Sequence, residues 1–216
     1  AACQRQGVRR LVHVSALGVG PQGPSNYLRS KAAGEQVLRE AGLDLSILRP
    51  SVIFGAQDRF LNLFADLQAL APVLPLAGAD ARFQPVWVND VAAAVAACLA
   101  RPDTIGQTYE CAGPDVFTLA DLVRLAGTLS GHPRPIVPLP AALARLQARV
   151  MECLPGEPLM SRDNLDSMRV PNVATATLPG LAALGITATA LAAVAPVYLA
   201  PGQGCARLNV LRAQHR

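Results

Sequence analysis

Tyr27 and Lys31 are the residues whose types and spacing best suit chemistry, because residues four apart share one face of a helix and their polar ends can converge. That chemistry is proton transfer. A phenol with an ordinary pKa of about 10 is a poor base at neutral pH, but a neighbouring ammonium and a cationic cofactor ring favour its phenolate. Ser15, at the end of the apolar run that precedes the helix, can hydrogen-bond the oxygen of a reacting group. The 19 basic residues are 18 arginines and a single lysine, Lys31. A compact ammonium that reaches both hydroxyls of a ribose, and whose field lowers a phenol pKa, does what a broad guanidinium does poorly. A Tyr and a Lys four apart also occur by chance on many helices. The strand placement, the upstream serine and the lone lysine set this pair apart.

Gly18, Gly20 and Gly23 imitate a dinucleotide-binding glycine fingerprint after a strand, but Pro21 and Pro24 interrupt the segment. The helix can start only after Pro24, which leaves the third glycine outside it. The acidic residue expected about 20 positions on is represented only by Asp44, at the beginning of the next strand. These glycines are read as shaping a loop. Asp58 reads as a loop residue, Asp90 as a helix cap and Trp87 as core. Arg49, before Pro50, pairs with a carboxylate or phosphate, or else is a surface arginine. The five cysteines contain no CxxC pair, and the three histidines lie far apart, so neither a disulfide framework nor a metal site is indicated.

The elements that must position these residues follow from the apolar runs and their punctuation. Residues 1–6 read as the end of a helix closed by Gly7, and 10–15 (RLVHVS) as a buried strand. Ser25 or Asn26 caps a helix through about Ala41, which Gly42 terminates. Residues 43–48 form a second buried strand, 59–70 a helix, and 82–88 a third strand. Asn89 and Asp90 then cap a helix over 91–100, and 108–112 is a fourth strand. Thr118 caps 119–130, residues 136–139 make a short edge strand, and 141–154 another helix. Alternation of this kind implies parallel βαβ units, with ligands beyond the carboxyl ends of the strands, where Ser15 and Pro50 fall. The expected class is α/β, an open helix-covered parallel sheet with a small, mainly helical C-terminal lobe.

Apolar residues make up 51% of the chain and charged ones 16%, which fits an ordered globular protein. The net charge of +4 comes from scattered arginines with few aromatics, which argues against nucleic-acid binding. No charged residue lies between Arg169 and Arg207, but Pro179, Gly180, Gly185 and Pro196 interrupt this stretch and alanine dominates it. It is read as short helices packed on the domain rather than a transmembrane segment. Cysteine usage suggests a reducing, cytoplasmic compartment.

Several segments resemble the atypical and extended short-chain dehydrogenase/reductase superfamily. Ser15, Tyr27 and Lys31 match its Ser-Tyr-Lys set. ILRPSVIFG (47–55) looks like the segment that packs on nicotinamide, FQPVWVNDVAAAV (83–95) like its substrate-side strand and helix, and GQTYECAGPDVFTLADLV (106–123) like the following strand-to-helix unit. The strings SNYLRSKAAGEQVLRE and RPSVIFGAQDRFLNLFA are similar to the NADPH-binding accessory-subunit family of respiratory complex I and its bacterial relatives. The resemblance implies an NAD or NADP cofactor, with NADPH favoured, held by Tyr27, Lys31, Pro50, Ser51 and Val52. It also implies Ser15, Tyr27 and Lys31 as catalytic residues if chemistry occurs. The family's glycine-rich first turn and its acidic residue have no counterpart, so roughly four strands are expected to be missing. The chain by itself is then expected to bind NAD(P) weakly or not at all. The resemblance further implies that the fold is the C-terminal portion of a Rossmann-like doubly wound parallel sheet, with residues 1–135 a partial nucleotide-binding domain with interleaved substrate-side segments and residues 136–216 the cap.

Two functional classes follow from this resemblance. One is an accessory or assembly-like protein that holds the nucleotide structurally, associated with complex I or a membrane-associated quinone-related assembly, in the cytoplasm or peripherally at the inner face of the membrane. The other is an NAD(P)-dependent epimerase, dehydratase or reductase acting on a sugar nucleotide or another carbonyl or alcohol. A redox-sensing regulator without catalysis is a third class, with no positive feature in its favour.

Overall fold

The computed structural model describes residues 2–153, 155–156 and 158–201. His215 and Cys205 lie outside the described residues. After a short helix α1 (Ala2–Arg5), the sheet core is built from β1 (Arg10–Val14), β2 (Asp44–Pro50) and β7 (Thr108–Cys111), in the order β1-β2-β7. Both pairings are parallel: Arg10 lies opposite Asp44 and Val14 opposite Leu48, while Ile47 lies opposite Thr108 and Pro50 opposite Cys111. β2 is central, and its near-continuous apolar run is what a strand covered on both faces requires. The one polar residue inside that run is the buried Ser46, whose hydroxyl donates to the Thr104 carbonyl at 2.5 Å and accepts from the Arg10 guanidinium at 2.8 Å. Polar satisfaction therefore allows a serine there.

Helix α2 (Asn26–Glu40) crosses between β1 and β2. It starts where the sequence places it, because the Ser25 hydroxyl accepts from the Leu28 amide at 3.1 Å, and it ends before Gly42, which holds a left-handed φ of 64°. The described residues continue through β3 (Ile53–Phe54), α3 (Leu61–Leu70), β4 (Leu74–Leu76), β5 (Arg82–Phe83), β6 (Val86–Trp87) and α4 (Val88–Ala100). Beyond β7 come β8 (Phe117–Thr118), α5 (Leu119–Ser130), β9 (Ile136–Pro138), α6 (Ala141–Glu152), α7 (Arg162–Ser167) and α8 (Leu191–Leu199). The expected α/β architecture is present.

Two expectations need correcting. The strand read over 82–88 is broken at Pro85: Arg82–Phe83 pair antiparallel with β8, whereas Val86–Trp87 pair parallel with β3. Proline has no N–H for a ladder, so the chain changes partner there. Helix α4 then begins at Val88, so Asp90 lies inside the first turn and its side chain does not cap the helix. β4 was not anticipated; it pairs parallel with β9, the short strand expected near residue 136.

The core has two parts. One gathers Phe54, Leu61, Phe64, Leu119, Leu122 and Val123 around α3 and α5, with Leu191, Ala195 and Tyr198 of α8 inserted against them. The other places Leu48, Val86, Ala94, Cys98, Cys111 and Leu181 between α4 and the sheet. The uncharged stretch before residue 200 is thus core-forming, and no helix among the described residues is long and apolar enough to cross a membrane.

Candidate functional site

Sheet pairing continues past the end of β1 and delivers Ser15 to the carboxyl edge. The Ser15 amide donates to the Leu48 carbonyl at 2.7 Å and the Leu17 amide to that of Pro50 at 2.9 Å. On the neighbouring strand the Ser51 amide donates to the Cys111 carbonyl at 2.9 Å. The loops beyond these strands, the first turns of α2 and the segment around α7 enclose a cavity of about 520 Å³. All six residues singled out by sequence, Ser15, Tyr27, Lys31, Pro50, Ser51 and Val52, line it. Gly18 contributes a loop wall at a left-handed φ of 75°, and the helix begins only at Asn26, so the glycine-rich segment cradles no helix start.

Lys31 donates from Nζ to the Val14 carbonyl at 3.3 Å, and the same ammonium lies 5.9 Å from the centroid of the Tyr27 ring. It faces the ring, and the partial burial of Tyr27 pushes its phenol above the ordinary value. Ser15 is almost fully buried, yet its hydroxyl makes no hydrogen bond of regular geometry. It does lie close enough to the Glu35 carboxylate to help depress its pKa. The site thus offers one positive charge and an apolar shelf at Pro50 and Val52, with the Ser15 hydroxyl buried beneath it toward Glu35, which suits a planar ligand.

Behind the site, Glu35 is 1% exposed and accepts from Arg49 at both carboxylate oxygens, 2.9 Å from Nε and 2.6 Å from a terminal nitrogen, and from Arg39 at 2.8 Å. Burial alone would raise its pKa, but hydrogen bonds from Arg49, Ser15 and Arg39 together hold it below the ordinary value. Arg49 is the carboxylate partner that the sequence reading allowed, and its guanidinium is held more firmly protonated by Glu35. His13, one position before Val14, has its pKa lowered by burial and by Lys31 and Arg39, against an opposing pull from Glu35.

Four carboxylates join the chain beyond residue 160 to the rest, and sequence reasoning found none of these roles. Asp163 of α7 accepts from the Asn26 amide at 2.6 Å and the Tyr27 amide at 3.0 Å, closing the N-terminus of the helix that carries Tyr27 and Lys31. Asp90 accepts from the Thr189 amide at 2.7 Å, Glu110 from the Thr175 amide at 2.7 Å, and Asp58 from the Tyr198 hydroxyl at 2.9 Å. Asp58 also accepts from the Leu61 amide at 2.6 Å, so the residue read as a loop aspartate caps α3. Asn172 completes the set: its Oδ1 accepts from the Ser51 hydroxyl at 2.6 Å and the Val52 amide at 3.0 Å. The one advance signal was a buried acidic residue inside strand β7, which needs a partner wherever it lies.

Asp163→Ala is expected to cost about 1 kcal/mol, the usual loss for a removed helix cap. Amide exchange at Asn26 and Tyr27 should accelerate roughly fivefold. Unchanged exchange at those two amides would show that Asp163 does not hold them.

A family model described as NAD(P)H-binding matches residues 1–102. The rat mitochondrial protein named NADH dehydrogenase [ubiquinone] 1 alpha subcomplex subunit 9 is 36% identical over 191 residues, covering 88% of this chain and 51% of the rat protein. A protein of Caulobacter vibrioides named ceramide reductase is 32% identical over 141 residues, 65% of this chain and 44% of that protein. Among solved structures, MoeE5 in complex with UDP-glucose and NAD superposes with a TM-score of 0.62 at 18% identity, over 92% of this chain and 66% of that one, a likeness of fold. The chain spans about half the length of the rat relative. The matched model makes residues 1–102 similar to the NAD(P)H-binding family, the chain is similar in sequence to the mitochondrial complex I subunit over 88% of its own length, and its fold is that of the epimerase-like nucleotide-binding proteins.

Proposed function

We propose that this protein is an NAD(P)-binding accessory or assembly-like subunit of respiratory complex I, holding its nucleotide structurally, peripheral to the inner face of the membrane. The observation that carries the reading is the gathering of Ser15, Tyr27, Lys31, Pro50, Ser51 and Val52 around one cavity in a chain 36% identical to a complex I subunit. In this reading Lys31 reaches the ribose hydroxyls, Tyr27 lies against the nicotinamide end, and Pro50, Ser51 and Val52 support the ring. NADPH is the favoured form. Residues 1–135 carry most of the nucleotide site, and the segment from Asn164 to Asn172 covers it.

The test uses the protein as its gene encodes it. Titration with NADPH should saturate a rise in nicotinamide fluorescence, the nicotinamide absorbance should stay constant across a broad panel of carbonyl compounds, and affinity capture from membranes should recover complex I subunits. Lys31→Ala should weaken NADPH binding roughly tenfold. Absence of nucleotide binding, or of complex I subunits in the capture, would overturn the proposal.

The likeness to a ceramide reductase favours a second reading. Here the protein is an NAD(P)-dependent reductase or epimerase in which Ser15 binds the substrate oxygen and Tyr27 moves its proton. Nicotinamide supplies or accepts hydride when bound. Steady NADPH oxidation that Tyr27→Phe abolishes would establish this reading in place of the first.

A further inference from the structure

We infer that helix α6 docks the protein on an anionic lipid surface, its outward aliphatic stripe entering the headgroup region and its arginines meeting the lipid phosphates. The inference stands on α6 and needs neither the nucleotide nor a complex I partner. It gives the proposed peripheral placement a contact surface.

Helix α6 (Ala141–Glu152) is turned the wrong way round for a helix whose larger apolar side chains join a core. At 3.6 residues per turn, Leu143, Leu146 and Val150 fall within about 60° of one another. They are 52%, 57% and 57% exposed. The residues that α6 buries are the small Ala144 and Ala148, about 150° from the centre of that stripe. Large aliphatic side chains lined up in water mark a surface that something else covers.

Charge identifies the occupant. From Leu125 to Met151 the chain holds no Asp or Glu, but three arginines, Arg134, Arg145 and Arg149. Arg145 and Arg149 lie one turn apart on α6, beside the aliphatic stripe, and both are exposed. Arg145 stands 3.8 Å from Asp166, in a pair that water screens. Glu152, the one carboxylate of α6, is engaged by Arg162 at 2.8 Å. The same stretch has no aromatic residue, whereas protein interfaces draw on aromatic anchors set in fitted pockets. Aliphatic side chains beside exposed cations are what an interfacial helix offers to anionic lipids. Three half-exposed aliphatic side chains hold a bilayer weakly by themselves, so the arginines decide whether the helix binds.

The test is flotation of the protein as its gene encodes it with two kinds of vesicle, phosphatidylcholine alone and phosphatidylcholine with phosphatidylglycerol in equal parts. Binding to the mixed vesicles is expected, at least roughly tenfold tighter than to phosphatidylcholine and weakening as salt is raised. Arg145→Gln/Arg149→Gln should weaken it roughly twentyfold, from about fivefold for each arginine. Leu143→Ser/Leu146→Ser should weaken it at least roughly tenfold with the melting temperature unchanged, and Val150→Ser probes the same stripe should that variant melt early. Val37→Ser, at an exposed apolar position of α2, should leave binding as it was. No binding to the mixed vesicles, equal binding to both kinds, binding that the folded stripe variants retain, or an equal loss in Val37→Ser would each overturn the inference. So would a stripe variant that loses complex I subunits in affinity capture yet still binds vesicles, which would make α6 a protein surface. Vesicle binding absent with NADPH binding and capture intact counts against this inference alone, and the reverse counts against the proposed function alone.

Discussion

Glu35→Ala is expected to unfold roughly 10 °C below the parent protein, a loss of about 3–5 kcal/mol. The residue touches no surface: it is 1% exposed, with Arg49 forking onto both oxygens and Arg39 on one. Removing the carboxylate leaves Arg49, itself only 21% exposed, without its partner beneath the site. The Arg39 bridge, 42% exposed on the arginine side, contributes little because water screens it. Glu35→Leu/Arg49→Met should be more stable than Glu35→Leu, since a buried pair can be replaced by apolar side chains more easily than it can be halved. Denaturant melts check this. A double variant as unstable as the single one would show that the stranded Arg49 is not the source of the loss.

The same cluster sets a pH dependence. The folded pKa of Glu35 lies below its ordinary 4.5, so the native state resists protonation. Its contribution is complete above 4.5 and is lost as pH falls through the lower folded value. His13 is likewise held below its ordinary 6.5, so its contribution is complete above 6.5 and declines as pH falls through its own folded value. Stability measured from neutral pH downward should therefore fall in two stages, and His13→Gln should remove the upper stage alone.

Gly113→Ala should cost about 3 kcal/mol, the upper end of ordinary overpacking. A Cβ there would stand 2.0 Å from the Pro85 carbonyl oxygen, a backbone atom that cannot swing aside. Gly113 and Gln84 are also hydrogen-bonded, Gln84 Nε2 to the Gly113 carbonyl at 2.7 Å, and the Gln84 amide donates to the Asn172 carbonyl at 3.0 Å. The displacement should reach Phe83 and Asn172, both at the cavity. Gly34→Ala is the internal contrast: it lies in α2 with nothing within 4 Å of the added Cβ, and should stabilise by about 0.5–1 kcal/mol. Equal melting temperatures for Gly113→Ala and the parent would mean that the Pro85 contact is looser than described.

What the sequence determined by itself was local. The end of β1 at Ser15, the Ser25 cap and Gly42 stop of α2, and the run into Pro50 were legible because a strand's apolar period and a helix's caps are set by neighbouring residues. Those elements bring Ser15, Tyr27, Lys31 and Pro50 to one cavity, so their convergence was legible too. Pro85 carried a readable warning against an unbroken strand, through its missing N–H. Tertiary structure alone decided how the site is held and walled. Arg49 meets Glu35 across 14 residues, Thr189 meets Asp90 across 99, Ser51 meets Asn172 across 121, and Asn26 meets Asp163 across 137. No residue pattern marks such pairs in advance, because a buried carboxylate requires a donor without specifying which distant donor the fold will supply. The Lys31 ammonium shows the same division: spacing placed it beside Tyr27, and the fold added the Val14 carbonyl as its acceptor.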